Sequence, residues 1–198
     1  MIPRVLIIPG SDRHGSYNVH LSGLIAEGIQ TYGGQATILS LSDYELPLFS
    51  QNIEEKTGVP DGAKKLGSFM EKNEGIILVT PEYNGSLPPL LKNALDWLSR
   101  DLDNITPYQN CTFGLAACSP SNLGGIRVLS HLREILVSVG ADVVTPQLTV
   151  GNASNAFNEK GQLLNNKTNV LLQKLLITVI ERAKFCLQDK IKSSFRIS

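Results

Sequence analysis

The apolar run Gly75-Ile-Ile-Leu-Val79 leads directly into Thr80-Pro-Glu-Tyr-Asn-Gly-Ser-Leu-Pro-Pro-Leu-Leu-Lys-Asn-Ala-Leu-Asp-Trp-Leu-Ser-Arg100. An unbroken apolar run of this length is typical of a strand that is buried on both faces of a parallel sheet. Pro81 has no N–H to donate, so the strand should end there. The polar loop that follows closes at Gly85, where a backbone without a Cβ can approach a ligand closely.

A helix is predicted after the two prolines of this stretch. Its apolar residues recur at three- and four-residue steps, as on one face of a helix; they are Leu90, Leu91, Ala94, Leu95 and Leu98. A strand, a glycine-bearing loop and a helix form the corner at which open α/β sheets bind their ligands. An ordinary βα turn backed by core leucines explains the same spacing equally well.

The rest of the chain repeats this alternation of strand and helix. Further strands are predicted at 4–9, 35–41, 111–118 and 141–150, and further helices after 18, over 61–72, up to about 140 and after a polar link that ends at 166. Segment 42–59 has no clean period and is predicted to be a surface loop. The pattern predicts one flavodoxin-like domain over residues 1–188, a doubly wound five-stranded parallel sheet in the order 2-1-3-4-5 with helices on both faces. Residues 189–198 are expected to form a solvated tail. Within the helices, Phe69 and Leu171 are among the residues expected to face inward.

The composition is that of a soluble globular protein: of 198 residues, 42% are hydrophobic and 18% are charged. Eighteen basic residues balance eighteen acidic ones, so no electrostatic footprint for nucleic acid or an anionic membrane is present. No run approaches the roughly 18 apolar residues of a membrane span, and the apolar run at the N-terminus is too short for a signal peptide. A cytoplasmic location is therefore expected.

Cysteines and histidines give no sign of a metal site or a disulfide framework. The three cysteines include no C-x-x-C pair, and Cys111 and Cys118 are expected to be small buried residues of a strand and its exit. The histidines, His14, His20 and His131, lack a ligand spacing. No G-x-S-x-G elbow is present either.

The loop after the first strand, Gly10-Ser-Asp-Arg-His-Gly-Ser-Tyr-Asn18, has the composition of an anion site. It is neither a Walker A sequence nor G-x-G-x-x-G. It offers two hydroxyls, an amide and a guanidinium just before a helix N-terminus, from Ser11, Ser16, Asn18 and Arg13. That position favours an anion, and the donors fit a terminal phosphate monoester better than a bridging pyrophosphate. A loop of normal turn composition with one exposed arginine is the alternative.

The predicted sheet order brings this loop and loop 80–86 together at the switch point between strands one and three. Neither loop supplies an obvious acid, base or nucleophile. This combination suggests a cofactor that provides the chemistry itself.

Three segments, in this order along the chain, resemble the NADPH-dependent FMN reductase family, which includes flavodoxin-like quinone, azo-dye and chromate reductases. The first is Gly10-Ser-x-Arg13-x-x-Ser16-x-Asn18, which is similar to the phosphate loop of that family. The second is Pro81-Glu-Tyr-Asn-Gly-Ser86 with its continuation Leu91-Lys-Asn-Ala-Leu-Asp-Trp-Leu-Ser-Arg100, which resembles the loop at the isoalloxazine ring and the following helix. The third is Gly124-Gly125 with Leu132-Arg133 behind it.

The resemblance implies a cofactor site made from all three loops. Its first-loop members, around the FMN phosphate, are Ser11, Arg13, Ser16, Tyr17 and Asn18. Its second-loop members, along the flavin ring, are Pro81, Glu82, Tyr83, Asn84 and Gly85. Its third-loop members are Ser119 and Gly124. Position 121 is Ser where many members have Gly, which leaves the path of the third loop open. No catalytic side chain and no metal is implied.

The implied reaction is a two-electron transfer of the ping-pong type. NADPH or NADH passes a hydride to flavin N5 and leaves, and a small-molecule acceptor such as a quinone, an azo compound or chromate then takes the electrons. A flavodoxin-type electron carrier is one alternative, although such carriers are usually acidic and this chain is neutral; a non-enzymatic flavin-binding sensor is another. The family also implies a homodimer or homotetramer. Candidates for its contact are Trp97, Leu98 and the helix that ends near Gly140, for which plain core packing is equally consistent.

Overall fold

The structure, a computed structural model, describes residues 1–100, 102–103 and 105–194. Residues 193 and 194 are described without their side chains. Within the described residues the chain forms five strands and six α-helices. The strands are β1 (Arg4–Pro9), β2 (Gln35–Ile38), β3 (Gly75–Thr80), β4 (Thr112–Cys118) and β5 (Asp142–Val150). The helices are α1 (Tyr17–Thr31), α2 (Gln51–Thr57), α3 (Asp61–Glu71), α4 (Pro89–Leu98), α5 (Ile126–Ser138) and α6 (Asn166–Ser194).

All five strands are parallel and lie in the order β2-β1-β3-β4-β5, which confirms the predicted flavodoxin-like fold. Strands β3 and β4 are buried along their whole length, as expected for strands covered on both faces. The alternation within β1 shows the two layers: Leu6 and Ile8 pack against α3, α4 and α5, whereas Val5 and Ile7 pack against α1 and α6.

The ends of the central strands are level at one edge of the sheet. Pro9 is in register with Val79, and Thr80 with Ala117. The N–H of Gly10 continues the ladder by donating to the carbonyl of Val79 at 2.8 Å. The loops that follow β1, β3 and β4 therefore leave the sheet side by side, where the sequence predicts a site.

Segment 42–59 is not the plain surface loop that was predicted. It contains α2 and packs on α4, because side chains of α4 bind its backbone. The Nε1 of Trp97 donates to the carbonyl of Pro47 at 2.7 Å, and the Oδ1 of Asn93 accepts from the N–H of Phe49 at 2.8 Å. Trp97 is fully buried and packs edge-on against the Phe49 ring.

This packing corrects the expected subunit contact. Trp97 and Leu98 are 0% and 3% exposed, so both belong to the core of the chain. The reason is that α4 is covered on two sides, by the sheet and by segment 42–59. Phe69 and Leu171, both expected to face inward, are instead 37% and 41% exposed.

The C-terminal segment is also more ordered than a solvated tail. Helix α6 continues through residue 188 to Ser194, and Lys190 donates to the carbonyls of Glu71 and Asn73 at 2.9 Å each. Residues 195–198 of the predicted tail lie outside the described residues, and the division of the chain at 188 stays a prediction. None of the helices in the described part of the chain combines the length and apolar character needed to cross a membrane.

Candidate functional site

The ends of β1, β3 and β4 open into a cleft of about 200 Å³. Its walls are formed by Ser11, Arg13, Ser16, Tyr17, Asn18, Pro81, Glu82, Tyr83, Cys118, Ser119 and Pro120. All of the predicted first-loop residues line it, together with the first three of the second loop and Ser119. Asn84, Gly85 and Gly124 do not line it, and Cys118 and Pro120 are additions that the sequence analysis missed.

The first loop forms a polar cradle at the N-terminus of α1. Ser16 caps the helix, and its Oγ accepts from the N–H of Asn18 at 3.3 Å. Ser11 and Ser16 are buried, whereas Arg13 is exposed and folds over the loop, donating to the carbonyls of His14 and Gly15. The first N–H groups of a helix have no intrahelical partner and are available as donors. The N-terminus of α1 therefore adds free N–H groups to the serine hydroxyls and the guanidinium of this loop.

Asn18 joins the first loop to the third. Its Nδ2 donates to the carbonyl of Cys118 at 3.0 Å, and its Oδ1 accepts from the N–H of Cys118 at 2.9 Å. The residue is 3% exposed. Its amide therefore completes the hydrogen bonding at the end of β4 and fixes the width of the cleft between α1 and β4.

The second loop is a tight turn. Tyr83 and Ser86 exchange two backbone hydrogen bonds of 3.0 Å, and the residues between them, Asn84 and Gly85, have φ angles of 50° and 79°. Asn-Gly with positive φ at both positions is the pattern of a type I′ turn. The turn carries Asn84 and Gly85 to its tip, while Pro81 and Glu82 remain at the cleft.

A salt bridge holds the second loop against α5. The side chain of Glu82 is 5% exposed and binds Arg127, whose Nε donates at 2.8 Å; it also accepts from the N–H of Val128 at 3.3 Å. Burial alone would raise the pKa of Glu82, but the hydrogen bonds from Arg127 and Val128 and the charge of Arg127 outweigh it, and the pKa is lowered. The group is therefore a carboxylate at neutral pH.

A second contact ties the other end of the same loop to α5. The Oγ of Ser86 lies 3.0 Å from the Nδ1 of His131, four residues along the helix from Arg127. Sequence reasoning missed both helix residues. Their four-residue spacing shows that they share a face of α5, but nothing in the sequence indicates that this face meets the second loop.

Backbone contacts set the path of the third loop. The carbonyl of Ser121 accepts from the N–H of Gly124 at 3.2 Å and from that of Asn152 at 3.1 Å. Gly124 has a φ of 61°, and a Cβ there would lie 2.8 Å from the backbone nitrogen of Gly151. The loop is thus packed directly against the chain leaving β5, with Ser121 part of that contact.

Cys118 closes the floor of the cleft as a neutral thiol. It is 2% exposed, as is typical of the buried residue that was predicted, and burial raises its pKa to about 12. At neutral pH it is therefore not a nucleophile. Cys111, the other cysteine expected to be buried, is 3% exposed.

The fold and cleft define a flavodoxin-like α/β protein with a polar cradle at its first βα turn. Residues 3–155 match the family described as NADPH-dependent FMN reductase, and the chain belongs to this family. It is a flavoprotein oxidoreductase whose cofactors are FMN and NAD(P)H, as predicted.

Two relatives cover nearly the whole chain. An NAD(P)H-dependent FMN reductase of Pseudomonas aeruginosa is 30% identical over 174 residues, which are 87% of this chain and 91% of the relative. A quinone reductase of Escherichia coli is 31% identical over 169 residues, 83% of this chain and 87% of the relative. Among solved structures, the flavoenzyme NAD(P)H:(acceptor) oxidoreductase FerB of Paracoccus denitrificans superposes with a TM-score of 0.77 at 22% identity, covering 92% of this chain and 98% of FerB. This last likeness concerns the fold.

The residues of the cleft fit FMN. Two buried serine hydroxyls and one guanidinium at the start of a 15-residue helix suit a terminal phosphate, which carries more charge and more acceptor oxygens than a neutral ligand. The second loop offers backbone groups on a turn that two contacts to α5 hold in place, which suits a flat ring.

Proposed function

We propose that this protein is an FMN-dependent NAD(P)H oxidoreductase that reduces quinones, azo compounds, chromate or similar small acceptors by two electrons in a ping-pong cycle. The observation that carries the proposal is the cleft itself, in which an anion cradle on α1 faces a backbone-rich turn pinned to α5. The proposal includes a cytoplasmic location, where NAD(P)H is available.

The first loop would bind the phosphate. Ser11 and Ser16 would donate hydroxyl hydrogen bonds, the N-terminus of α1 would donate N–H groups, and Arg13 would supply the countercharge. Asn18 would act from behind, because its amide is engaged with Cys118. Tyr17, at the first position of α1, would border the phosphate end of the cleft.

The second and third loops would orient the ring. Backbone groups of residues 81–85 would line one side, with donors near N1 and O2, and Ser119 would approach from the other side; Gly124 would serve by letting the third loop pack on β5. The chemistry that bound FMN supplies is acceptance of a hydride from NAD(P)H at N5 and delivery of two electrons to the acceptor. Donors that are already in place stabilise negative charge without reorganisation.

Glu82 would take no part in proton transfer. Its lowered pKa and its bond to Arg127 leave no proton to donate at neutral pH. Net reduction of a quinone to a hydroquinone by NAD(P)H takes up a hydride and one further proton, and that proton would come from solvent at the mouth of the cleft. The chain's own contribution would be binding and orientation.

Steady-state kinetics and spectra test this function. The purified protein should show the absorbance bands of oxidised flavin, which bleach on anaerobic addition of NADPH and return on addition of a quinone. Initial rates at several fixed quinone concentrations should give parallel double-reciprocal lines. Intersecting lines would rule out the ping-pong order, and flavin binding without NADPH oxidation would favour the carrier or sensor.

Comparison of FMN with riboflavin tests the phosphate cradle separately. Because riboflavin lacks the phosphate, R13A should weaken FMN binding about tenfold, the effect of losing one charge-assisted hydrogen bond, while riboflavin binding stays the same. R100A is the matched control, since Arg100 pairs with Glu54 away from the cleft. Equal losses for both flavins would place Arg13 outside the phosphate site.

A further inference from the structure

Thr80 is a buried polar residue directly behind the second loop of the cleft. It is the last residue of β3 and is 0% exposed. Its Oγ1 donates a hydrogen bond of 3.0 Å to the carbonyl of Pro81. Pro81 and Glu82 line the cleft. A hydroxyl inside the core is thus bonded to the backbone of the loop that forms the cleft wall.

This hydrogen bond fixes the direction of a whole peptide group. The ring of Pro81 locks φ at about −65°, so rotation about ψ of Pro81 decides where its carbonyl points. Thr80 has little freedom of its own, because it is β-branched and precedes a proline. Since both residues are restricted, one hydrogen bond is sufficient to hold the peptide between Pro81 and Glu82 in a single orientation.

The N–H of Glu82 belongs to the same peptide group and points the opposite way. The peptide bond is trans, and in a trans peptide the C=O and N–H lie on opposite sides. Because the carbonyl of Pro81 points to the buried hydroxyl of Thr80, the N–H of Glu82 points away from the core and toward the cleft. This N–H has no acceptor within the described part of the chain, whereas the N–H of Tyr83 donates to the carbonyl of Ser86 at 3.0 Å.

Gly10 leaves the space that the hydroxyl needs. A Cβ at Gly10 would lie 3.1 Å from the Oγ1 of Thr80 and 3.2 Å from the Cδ2 of Leu91. Gly10 is not among the glycines with a positive φ, so this position requires a small residue and not an unusual backbone conformation. The end of β1 therefore accommodates the side chain that orients the first peptide after β3.

We propose that Thr80 is a positioning residue for the reaction, which aims the N–H of Glu82 at the flavin ring through the carbonyl of Pro81. The inference rests on the proposed function, in which backbone groups of residues 81–85 line the ring. A donor that is held in place before reduction stabilises the negative charge that develops on the ring without any reorganisation. Thr80 itself is buried behind the loop and acts only through Pro81.

Removal of the hydroxyl tests this role. T80V keeps the shape of the side chain but loses the donor, so the Kd for FMN should rise about fivefold, and the Kd for riboflavin by the same factor, because the phosphate is not involved. The affinity for reduced flavin should fall about fivefold further, which lowers the midpoint potential of the bound flavin by about 20 mV in spectroelectrochemistry. T80S retains the hydroxyl and should keep the native affinity and potential.

T112V is the matched control for the loss of a buried hydroxyl. Thr112 is also 0% exposed, and its Oγ1 bonds the carbonyl of Asp142 at the other end of the sheet. T112V should leave the flavin potential unchanged. A native potential in T80V overturns the role of Thr80, and so does a potential in T80S or T112V that falls as far as that of T80V.

Amide hydrogen exchange of the ¹⁵N-labelled native chain tests the direction of the N–H without any variant. Binding of FMN or riboflavin should slow exchange of the Glu82 N–H about tenfold, whereas the N–H of Tyr83 is already bonded and should change little. A native protein that binds no flavin overturns the proposed function together with this role. Flavin binding that leaves exchange at Glu82 unchanged overturns this role alone.

Discussion

The carboxylate of Glu82 and the guanidinium of Arg127 form the contact that fixes the second loop of the cleft against α5. The two residues are 45 positions apart in the chain. The carboxylate is nearly inaccessible to solvent, while the arginine is 57% exposed. A loop that would line the flavin ring is thus held in place by its contact with α5.

Removal of Arg127 should weaken flavin binding through this loop. In R127A the buried carboxylate keeps only the backbone N–H groups of positions 127 and 128, so the loop should loosen and the Kd for FMN should rise about tenfold. Fluorescence titration with FMN measures the effect. E82Q keeps the shape of the side chain and should lose less than R127A. Unchanged affinity in R127A would show that the backbone alone holds the turn.

Asn18 should matter for stability more than its place in the first loop suggests. N18A leaves the buried N–H and carbonyl of Cys118 without partners, which should lower the free energy of unfolding by about 3 kcal/mol. Urea denaturation of the apoprotein measures this without a contribution from FMN. N158A is a control, because Asn158 bonds only within its own turn. If N18A lowered the free energy of unfolding no more than N158A does, the hydrogen bonds from Asn18 to Cys118 would not hold α1 to β4.

Gly124 should tolerate no side chain. G124A combines a positive φ of 61° with a Cβ placed 2.8 Å from the nitrogen of Gly151, and should cost about 3 kcal/mol of stability. G140A is the matched control, because its φ of 82° is equally unfavourable but nothing lies within 4 Å of the added Cβ. It should cost about 1 kcal/mol. If urea denaturation gave equal losses of stability for G124A and G140A, backbone strain, and not the close approach to the end of β5, would account for the cost of G124A.

Glu74 should make the stability depend on pH in acid. Burial would raise its pKa, but hydrogen bonds from the side chain and N–H of Arg4, with the charges of Arg4 and Lys190, outweigh it and lower the pKa. The unfolded chain, in which the pKa of Glu is about 4.3, therefore takes up the proton first. The stabilisation is present above that value and is lost as the pH falls through the depressed folded pKa.

E74Q should accordingly flatten this part of the pH profile. At pH 7 the variant should be about 2 kcal/mol less stable, because Arg4 and Lys190 lose a buried partner. In acid, where the native carboxylate is protonated too, the difference should shrink. D142N is the control, since Asp142 pairs with Arg182 at the surface and should change stability by less than about 1 kcal/mol. A difference that stays constant from neutral pH into acid would contradict the assignment.

The predictions from sequence succeeded where the signal was local. Buried parallel strands appear as apolar runs whose ends are marked by glycine or proline. Five such strands alternating with helices suit the doubly wound order that the structure has. The prediction failed at segment 42–59 because α2 is short and the residues before it are held by Trp97 and Asn93, which lie 50 and 44 positions from the backbone groups that they bind. The periodicity of a helix identifies its apolar face, but it does not show whether the helix packs against the sheet alone or is also covered by a second segment, as α4 is by segment 42–59.

The sequence by itself determined the alternation of strands and helices and the two loops that meet at the switch point, and it predicts an anion site in the first of these loops. Only the tertiary structure decided which polar side chains face the cleft and which serve the scaffold. Asn18 turns to β4, Glu82 turns to α5, and Arg13 stays at the surface. The physical reason is that periodicity and turn chemistry act over a few residues, whereas a buried polar group takes whichever partner the folded chain brings within hydrogen-bond distance, here up to 100 positions away.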